Sequence, residues 1–274
     1  MAYSKLVPRS TRGAQVEEIS HDSAHYRLTI PSGKADQYRL AQLDDYTLLS
    51  RRQFPHASGL TLSLSARTSS DSLPGTWGFG LWNDPFGLSL GFGGSPLRLP
   101  ALPNAVWFFG ASEENYLSFK EQGRGYPAPT GNGFMAQVFR SPRFHPLLIP
   151  VGMALPFSRK ATRRMLGRVI EEDGVKLWSQ GASSRKSDQQ ADGLQRVDPR
   201  QWHGYRLEWS LNRVSFEVDN VQVLDSPVSP HAPLGVVIWI DNQFAAFTPE
   251  GRIGFGVLEN PEPAWLEIKD VEIK

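Results

Sequence analysis

Apolar and polar residues alternate with a period of two along most of the chain, which is the pattern of β-strands that bury one face. Residues 60–66 show it most simply, because their leucines would face a core while Thr61, Ser63 and Ser65 face solvent. The same alternation predicts further strands at residues 25–30, 38–43, 76–82, 105–110, 134–140, 234–240, 251–258 and 265–273.

A series of hairpins is predicted in the last third of the chain. Residues 205–211 and 214–218 alternate strictly and are separated by the short turn Asn212-Arg213. Asp219-Asn220 then leads into a third strand at residues 221–224. Asp and Asn tolerate the left-handed backbone that a two-residue hairpin turn requires, so an antiparallel hairpin is expected here.

One helix interrupts the strand pattern, near residues 159–171. Ser158 is suited to cap its first turn. We expect a surface helix that covers part of a sheet, rather than a membrane or nucleic-acid element, with its arginines and its lysine on the wet side. Its apolar positions fall on one helical face: Ala161, Met165, Leu166, Val169 and Ile170.

The pattern predicts one domain with a flexible start. Strand-like segments occur on both sides of every polar stretch, so residues 16–274 are expected to form a single domain after a loose N-terminal arm of residues 1–15. Residues 123–133 and 182–192 are predicted to be loops, because the first is rich in glycine and proline and the second is almost wholly polar. The predicted fold class is all-β, a two-sheet antiparallel sandwich with one short helix.

Composition and charge restrict the possible partners. Hydrophobic residues make up 40% of the 274 positions, which is enough to form a core. The net charge of +1 gives no general attraction to nucleic acid or anionic membranes. No segment reaches the roughly 18 apolar residues of a membrane span. Residues 1–13 lack the apolar stretch of a secretory signal, so a cytoplasmic location is predicted, although a processed secreted form would look the same.

Several kinds of catalytic or metal site are absent from the sequence. The chain has no cysteine, which excludes disulfides, thiolate catalysis and cysteine-bound zinc. Its six histidines lack the close spacing of a zinc-binding pair. There is no nucleophile elbow and no phosphate-binding loop, and residues 91–94 (GFGG) are predicted to be a turn because no helix follows them.

Three segments resemble concanavalin A-like lectins and glucanases, and most closely the family 16 glycoside hydrolases. Residues 201–219 (QWHGYRLEWSLNRVSFEVD) resemble that family's W-H-x-Y-x-x-E-W stretch and the I-x-F-x-V-D-G that follows it. Residues 75–82 (GTWGFGLW) are similar to the strand that precedes the catalytic strand, and residues 265–273 to the closing strand. The resemblance extends from about residue 16 to the end. It implies a jelly roll of two stacked sheets with a sugar cleft on the concave face of one.

The resemblance also implies a position for catalytic carboxylates. Family 16 enzymes place two glutamates on one strand face, in a Glu-x-Asp-x-(x)-Glu motif, and hydrolyse β-glucans with retention. The corresponding strand here, residues 105–110, contains no carboxylate, and segments 171–173 and 217–222 carry only part of the motif. An active enzyme would need another pair about 5 to 9 Å apart across the cleft. The weak catalytic candidates are Asp84, Glu113, Glu114 and Asp241.

Tryptophans beside polar residues are the predicted ligand contacts. Indole faces stack on the apolar faces of sugar rings, and neighbouring amides and carboxylates can bind hydroxyls. Any one of these tryptophans could equally be a core residue, and Asn83-Asp84-Pro85 is also an ordinary turn sequence. The predicted ligand-binding residues are Trp82, Asn83, Asp84, Trp107, Trp239, Asp241, Asn242 and Gln243.

Three functions remain open from the sequence. The first is a carbohydrate-binding protein whose glucanase-like cleft has lost its carboxylates. The second is a glycoside hydrolase or related enzyme with rearranged carboxylates. The third is a cleft adapted to an apolar small molecule, which predicts a pocket walled by aromatics, whereas a sugar site predicts an open groove with polar rims. No cofactor is predicted; a structural calcium, found in relatives of this fold, would need oxygen ligands from loops.

Overall fold

The computed structural model describes residues 6–11, 13–85, 98, 101–119, 132–142, 158–178, 196–248 and 252–274. The predicted turn at residues 91–94, the predicted loop at 182–192 and most of the predicted loop at 123–133 lie outside these ranges. Besides a short 3-10 turn at Arg51–Gln53, the described elements are β1 (Val7–Ser10), β2 (Gln15–Ser20), β3 (His25–Ile30), β4 (Leu40–Asp44), β5 (Leu60–Thr68), β6 (Thr76–Trp82), β7 (Ala105–Ala111), β8 (Gly133–Arg140), α1 (Arg159–Val169), β9 (Glu171–Trp178), β10 (His203–Trp209), β11 (Val214–Val218), β12 (Val221–Ser226), β13 (Gly235–Asp241), β14 (Gln243–Phe247), β15 (Ile253–Val257) and β16 (Ala264–Ile273).

The strands form two large antiparallel sheets and one small one. The first sheet has the order β1-β4-β13-β6-β7-β8-β9, and the second has the order β12-β11-β10-β5-β16-β3-β2. Strands β14 and β15 pair as a separate hairpin. This confirms the predicted fold class, an all-β sandwich of two antiparallel sheets with one helix.

The main core lies between the two large sheets. Alternate residues of each strand point into it, and aromatic rings from opposite sheets interlock there. The Phe108 ring of β7 lies 5.2 Å from that of Phe216 on β11, and Phe79 of β6 lies 5.0 Å from Tyr205 of β10. Burying a phenylalanine side chain contributes about 1.5–3 kcal/mol of transfer free energy, so these contacts hold the sheets together.

The predicted hairpin between β11 and β12 is confirmed, and its turn has the expected geometry. Asp219 and Asn220 adopt positive φ angles of 51° and 64°. A carboxylate oxygen of Asp219 also accepts a hydrogen bond from the Gly204 amide at 2.9 Å. Local side-chain chemistry therefore fixes the turn on which the register of β11 and β12 depends.

Helix α1 is confirmed, but one of its arginines is not on the wet side. Leu166 and Ile170, the residue after the helix, pack on the face of the first sheet that points away from the second sheet. Arg163 is buried, contrary to the prediction, because its guanidinium lies 5.3 Å from the Tyr116 ring and donates to the Phe247 carbonyl. The arginine thereby ties the helix to the β14–β15 hairpin.

Edge strands account for the other differences from the predicted elements. Residues 7–10 of the expected loose arm form β1, in which Val7 lies opposite Asp44 and Ser10 opposite Ala41, so this part of the arm belongs to the first sheet. Strands β2, β9 and β14 were not predicted, because their half-exposed sequences QVEEIS, EEDGVKLW and QFAAF do not alternate. Among the described residues, no helix is long and apolar enough to cross a membrane.

Candidate functional site

The outer face of the first sheet, which points away from the second sheet, is the predicted ligand side. On β6, Trp77, Phe79 and Leu81 point into the main core, so Thr76 and Trp82 point outward. On β7 the outward side chains are Ala105, Trp107, Phe109 and Ala111. The strand expected to carry the family's carboxylates therefore presents only apolar side chains to this face.

A group of aromatic rings forms the centre of the outer face. The Trp82 and Trp239 rings are nearly parallel, with their planes 8° apart and their centres 5.9 Å apart. Trp107 lies 5.9 Å from Trp82 and 5.7 Å from Trp239, and Phe109 lies 5.2 Å from Trp107. We call Trp82, Trp107, Phe109 and Trp239 the aromatic floor. The structure thus brings together the three tryptophans that the sequence nominated.

Two glycines of β6 make room for these rings. A Cβ at Gly78 would lie 3.0 Å from Cη2 of Trp239 and 2.3 Å from the Phe108 carbonyl oxygen. A Cβ at Gly80 would lie 2.5 Å from the Trp107 Cα. The GFG sequence of β6 therefore lets the indoles of neighbouring strands approach the central strand closely.

Most of the aromatic floor is covered. Trp107 is 1% exposed and Trp239 and Phe109 are each 5% exposed, whereas Trp82 is half-buried. The segment from Tyr46 to Phe54 packs over it near Trp82. On the side of β8, the covering residues are Leu117, Phe119, Leu166 and Ile170. The outer face is consequently a second apolar core, with Trp82 at its accessible margin.

Asn83 and Asp84 follow Trp82 and form a tightly bonded turn. Asn83 donates to the Leu102 carbonyl at 2.9 Å and accepts from the Asn104 amide at 3.0 Å. Asp84 has a φ of 47° and forms a buried ion pair with Arg98, at 2.5 Å between Oδ2 and Nη1. Burial raises the pKa of Asp84 despite this pairing. These contacts give both residues a structural role at the end of β6.

Asp241 lies at the opposite end of the outer face. Its Oδ1 accepts from the Thr76 hydroxyl at 2.8 Å, the Thr76 amide at 3.2 Å and the Gln243 amide at 3.2 Å; its Oδ2 accepts from the Tyr38 hydroxyl at 3.2 Å. The Thr76 hydroxyl in turn accepts from Nε1 of Trp239 at 2.9 Å. Asp241 therefore orients Trp239 through Thr76.

The pKa of Asp241 is raised to about 6, because burial disfavours its charge more strongly than the hydrogen bonds from Thr76, Gln243 and Tyr38 favour it.

The next two residues, Asn242 and Gln243, differ in burial. Asn242 is fully buried and bonded to the Arg39 amide and to the Gln37 and Leu258 carbonyls, whereas Gln243 is half-buried at the start of β14.

Glu113 and Glu114 lie in an exposed turn after β7. The turn is held by Asn115, which donates to the Gly75 carbonyl at 3.1 Å and to the Ser112 hydroxyl at 3.1 Å. The two glutamates therefore do not join Asp84 or Asp241 in a common buried site. Asp84 and Asp241 lie at opposite ends of β6. Asp84 follows Trp82 at the end of the strand, whereas Asp241 lies opposite Thr76 at its start. The seven residues of β6 span about 20 Å.

Sequence reasoning missed four polar residues of this face. Glu172 accepts from the Phe119 amide at 2.7 Å, and Gln137 donates to the Leu117 carbonyl at 2.9 Å. Asp44 accepts from the Tyr46 and Thr47 amides, and Gln42 donates to Asp44 at 2.8 Å. A polar residue inside an apolar strand, as in FMAQVF of β8, was the signal that could have revealed Gln137.

The buried carboxylates of the outer face accept hydrogen bonds from other protein groups. Burial raises the pKa of Asp84 most strongly, and the nearby charge of Asp44 raises it further. Both carboxylates are buried and hydrogen-bonded to protein groups. Within the described ranges, no group of three or more histidine, aspartate or glutamate side chains is arranged to hold a metal ion. Those residues therefore do not supply a side-chain cluster for the structural calcium considered from the sequence.

Comparison with known proteins gives solved structures only. No family model matches the chain, and no curated protein matches it. Similar solved structures include a family 16 glycoside hydrolase endo-glucanase from Bacteroides ovatus, with 10% identity, a TM-score of 0.49 and coverage of 100% of this chain and 96% of that chain. A putative β-glucanase from Mycobacterium abscessus has 13% identity, a TM-score of 0.44 and coverage of 100% and 94%.

A third similar structure is the binding domain of a botulinum neurotoxin in complex with a sialylated ligand. It has 7% identity and a TM-score of 0.43, and the match covers 99% of this chain and 43% of that one. Family 16 glucanases, which the sequence motifs resemble, are thus among the solved structures similar to this chain.

Proposed function

We propose that this protein binds a carbohydrate without hydrolysing it, and that Trp82 is the platform for a sugar ring. The observation that carries the proposal is the half-buried Trp82 indole at the margin of the aromatic floor. This indole is held nearly parallel to the buried Trp239 ring. A rigid indole with one accessible region suits stacking on the apolar face of a sugar. The motifs at residues 75–82 and 201–219 resemble a sugar-binding family and support the same assignment.

The platform is held in place by its surroundings. Trp82 contacts the rings of Trp107 and Tyr46 in addition to Trp239, and Trp239 is itself oriented by the Thr76–Asp241 pair. The ring therefore has few alternative rotamers to lose when a ligand binds, which favours binding. Trp107 and Trp239 would support the platform from below rather than contact the sugar directly.

The states of the described carboxylates on the outer face support binding without hydrolysis. A retaining enzyme needs one carboxylate that can reach the anomeric carbon and a second that can donate a proton to the leaving oxygen. Here the outward side chains of β7 are apolar, and Asp44, Asp84, Glu172 and Asp241 are buried and already bonded to protein groups. None of these four residues is more than 6% exposed, so each presents little surface to a glycosidic bond.

The first prediction concerns Trp82. Oligosaccharides from β-1,3-glucan, β-1,4-glucan, galactan and xylan are titrated by calorimetry into the wild type, Trp82→Ala and Trp82→Phe. We expect binding of at least one sugar, weakened about tenfold in Trp82→Ala and less in Trp82→Phe, because stacking contributes roughly 1.5 kcal/mol. Trp178→Ala, which removes a half-buried indole that packs against the main core at the end of β9, is the matched control and should bind normally.

A reducing-end assay on the parent polysaccharides decides between binding and hydrolysis. We expect no release of reducing ends. Turnover that disappears in Asp84→Asn or Asp241→Asn would show instead that the chain is an enzyme with rearranged carboxylates. Sugar binding that is equal in the wild type and in Trp82→Ala would place the sugar elsewhere on the molecule.

One observation favours a second candidate, an apolar small molecule. Three of the four rings of the aromatic floor are almost fully buried, and the polar groups around them are bonded to one another. That arrangement matches a closed apolar pocket better than an open groove with polar rims. Quenching of tryptophan fluorescence by apolar dyes, together with no response to any sugar, would favour this candidate.

A further inference from the structure

The outer face of the second sheet carries a charged cluster that the proposed function does not use. Glu267 on β16 lies opposite Arg67 of β5 on one side and opposite Arg27 of β3 on the other. Its carboxylate is 3% exposed and lies 2.7 Å from His25 Nε2, 3.0 Å from Arg67 Nη2 and 3.2 Å from Arg27 Nη2. One buried anion therefore gathers several basic groups at the centre of the face.

Two indoles alternate with the cations of this cluster. The Arg67 guanidinium carbon lies 4.8 Å from the ring centre of Trp202 and 5.5 Å from that of Trp265. Arg27 lies 5.1 Å from the Trp265 ring, and the Lys269 ammonium lies 4.7 Å from the Trp202 ring. The contacts run in the order Arg27, Trp265, Arg67, Trp202, Lys269, which we call the cation–indole row. Cation–π contacts of this kind hold the long basic side chains in defined positions.

The row has more positive than negative charge. Arg27, Arg67 and Lys269 are opposed by the single carboxylate of Glu267, which leaves a local excess of two positive charges. Glu17 on the edge strand β2 lies opposite Arg27 but is exposed and forms no ion pair within the described part of the chain. Because the whole protein has a net charge of only +1, this excess is a local feature.

Some donors of the row are not used by the protein. Lys269 makes no hydrogen bond to the described residues, and Arg27 and Arg67 remain about one-third exposed. The Nε atom of Arg27 is buried and also lacks a partner in the described ranges. The row thus combines side chains fixed by internal contacts with nitrogen donors that face solvent.

The strand next to the row carries hydroxyls. Thr61, Ser63 and Ser65 point outward along β5, and Ser65 lies opposite Lys269, after which β16 has a bulge. These half-buried hydroxyls form no side-chain hydrogen bond with the described residues. A strip of fixed charges and hydroxyls along an outward-facing strand suits an extended polar polymer better than a small ion, which would need a pocket.

We propose that this face binds an acidic polysaccharide, a sugar polymer that carries sulfate or carboxylate groups. The arginines and Lys269 would bind its oxyanions, and the hydroxyls of β5 would bind its sugar hydroxyls. Nucleic acid fits less well, because bases stack on free aromatic faces and both indoles of the row already contact two cations each. The site lies on the sheet opposite to the aromatic floor and does not depend on it.

The experiment compares two charge-matched variants. The wild type, Lys269→Gln and Lys34→Gln are tested for binding to dextran sulfate, polygalacturonate, uncharged dextran and single-stranded DNA at several NaCl concentrations. Lys269→Gln leaves the three partners of Glu267 in place, and Lys34 is an exposed lysine outside the row, so the two variants lose the same charge at different places.

We expect the wild type to bind at least one acidic polymer and not dextran. Lys269→Gln should bind about fivefold more weakly and show a shallower salt dependence, while Lys34→Gln should be unchanged. A preference for dextran sulfate or polygalacturonate identifies the anionic group. No binding to either acidic polymer, equal loss in the two lysine variants, or equally tight binding of single-stranded DNA would overturn the proposal.

Discussion

At the scale of single residues, Asp241 and Glu267 are two buried carboxylates in opposite situations. Burial raises the pKa of Asp241 to about 6, because its hydrogen-bond donors are neutral. Burial also acts to raise the pKa of Glu267, but hydrogen bonds from His25, Arg67 and Arg27 outweigh it and hold the pKa below its ordinary value. Glu267 has basic partners that Asp241 lacks, and their hydrogen bonds stabilise its ionised form.

The pKa of Asp241 predicts a pH-dependent stability. Since its folded pKa lies above the unfolded value of 3.8, the stability linked to its proton is fully present below about pH 4 and is lost as the pH rises through about 6. We expect the wild type to lose about 3 kcal/mol relative to Asp241→Asn across this interval. Urea unfolding of both proteins at several pH values measures the difference, and a difference that does not vary with pH would contradict the prediction.

At the scale of elements, one buried arginine fastens a loop to the end of a strand. Arg98 donates to the carbonyls of Tyr46, Thr47 and Leu49 at 2.6–3.1 Å while it pairs with Asp84. Because this loop covers the aromatic floor beside Trp82, the position of the proposed platform depends on Arg98. No sequence pattern indicates the link, since it joins residues far apart along the chain.

A double-mutant cycle tests this link. Arg98→Met leaves Asp84 buried without its partner and removes the donor to the loop carbonyls, so a loss of about 3–5 kcal/mol in unfolding free energy is expected. Asp84→Asn is a suitable second change, because Asn tolerates the positive φ at this position. The double variant should lose clearly less than the sum of the two single losses. Additive losses would show that the ion pair contributes little.

Gly80 tests the close approach of β6 and β7. A Cβ at this position would lie 2.3 Å from the Val106 carbonyl oxygen, so Gly80→Ala should lower the unfolding free energy by about 3 kcal/mol. Gly204→Ala is the matched control on β10, where the nearest atom is an Asp219 oxygen at 3.9 Å, and a change within about 1 kcal/mol is expected. Thermal and urea unfolding measure both, and equal effects would contradict the close approach.

At the scale of the whole molecule, alternation was enough to predict the strands that bury one face, such as β5, β10 and β11, and these imply a sandwich. The one-sided apolar spacing predicted the helix, and local chemistry predicted the turn at Asp219 and Asn220. Strands β1, β2, β9 and β14 escaped prediction because they bury little and do not alternate. Their conformation is imposed by neighbouring strands rather than by their own sequence.

The sequence indicated which tryptophans share the outer face, but not how deeply they are buried. The sequence nominated Trp82, Trp107 and Trp239, and the structure brings them together. Their burial follows from the loop at 46–54, from residues 117–119 and from helix α1, whose docking no local pattern reveals. The cation–indole row was likewise hidden, since its five members come from four separated segments of the chain.

The glycines beside the indoles have a consequence for how this protein can diverge in evolution. Strand β7 is apolar on both sides, so its hydrophobic pattern would permit a shift by one residue. Only one alignment of β6 and β7 places Trp77 over Gly110 and Trp107 beside Gly80. A Cβ at Gly110 would lie 2.1 Å from the Trp77 indole nitrogen. Insertions and deletions are therefore excluded from β6 and β7, and homologues should change length only in the loops between strands.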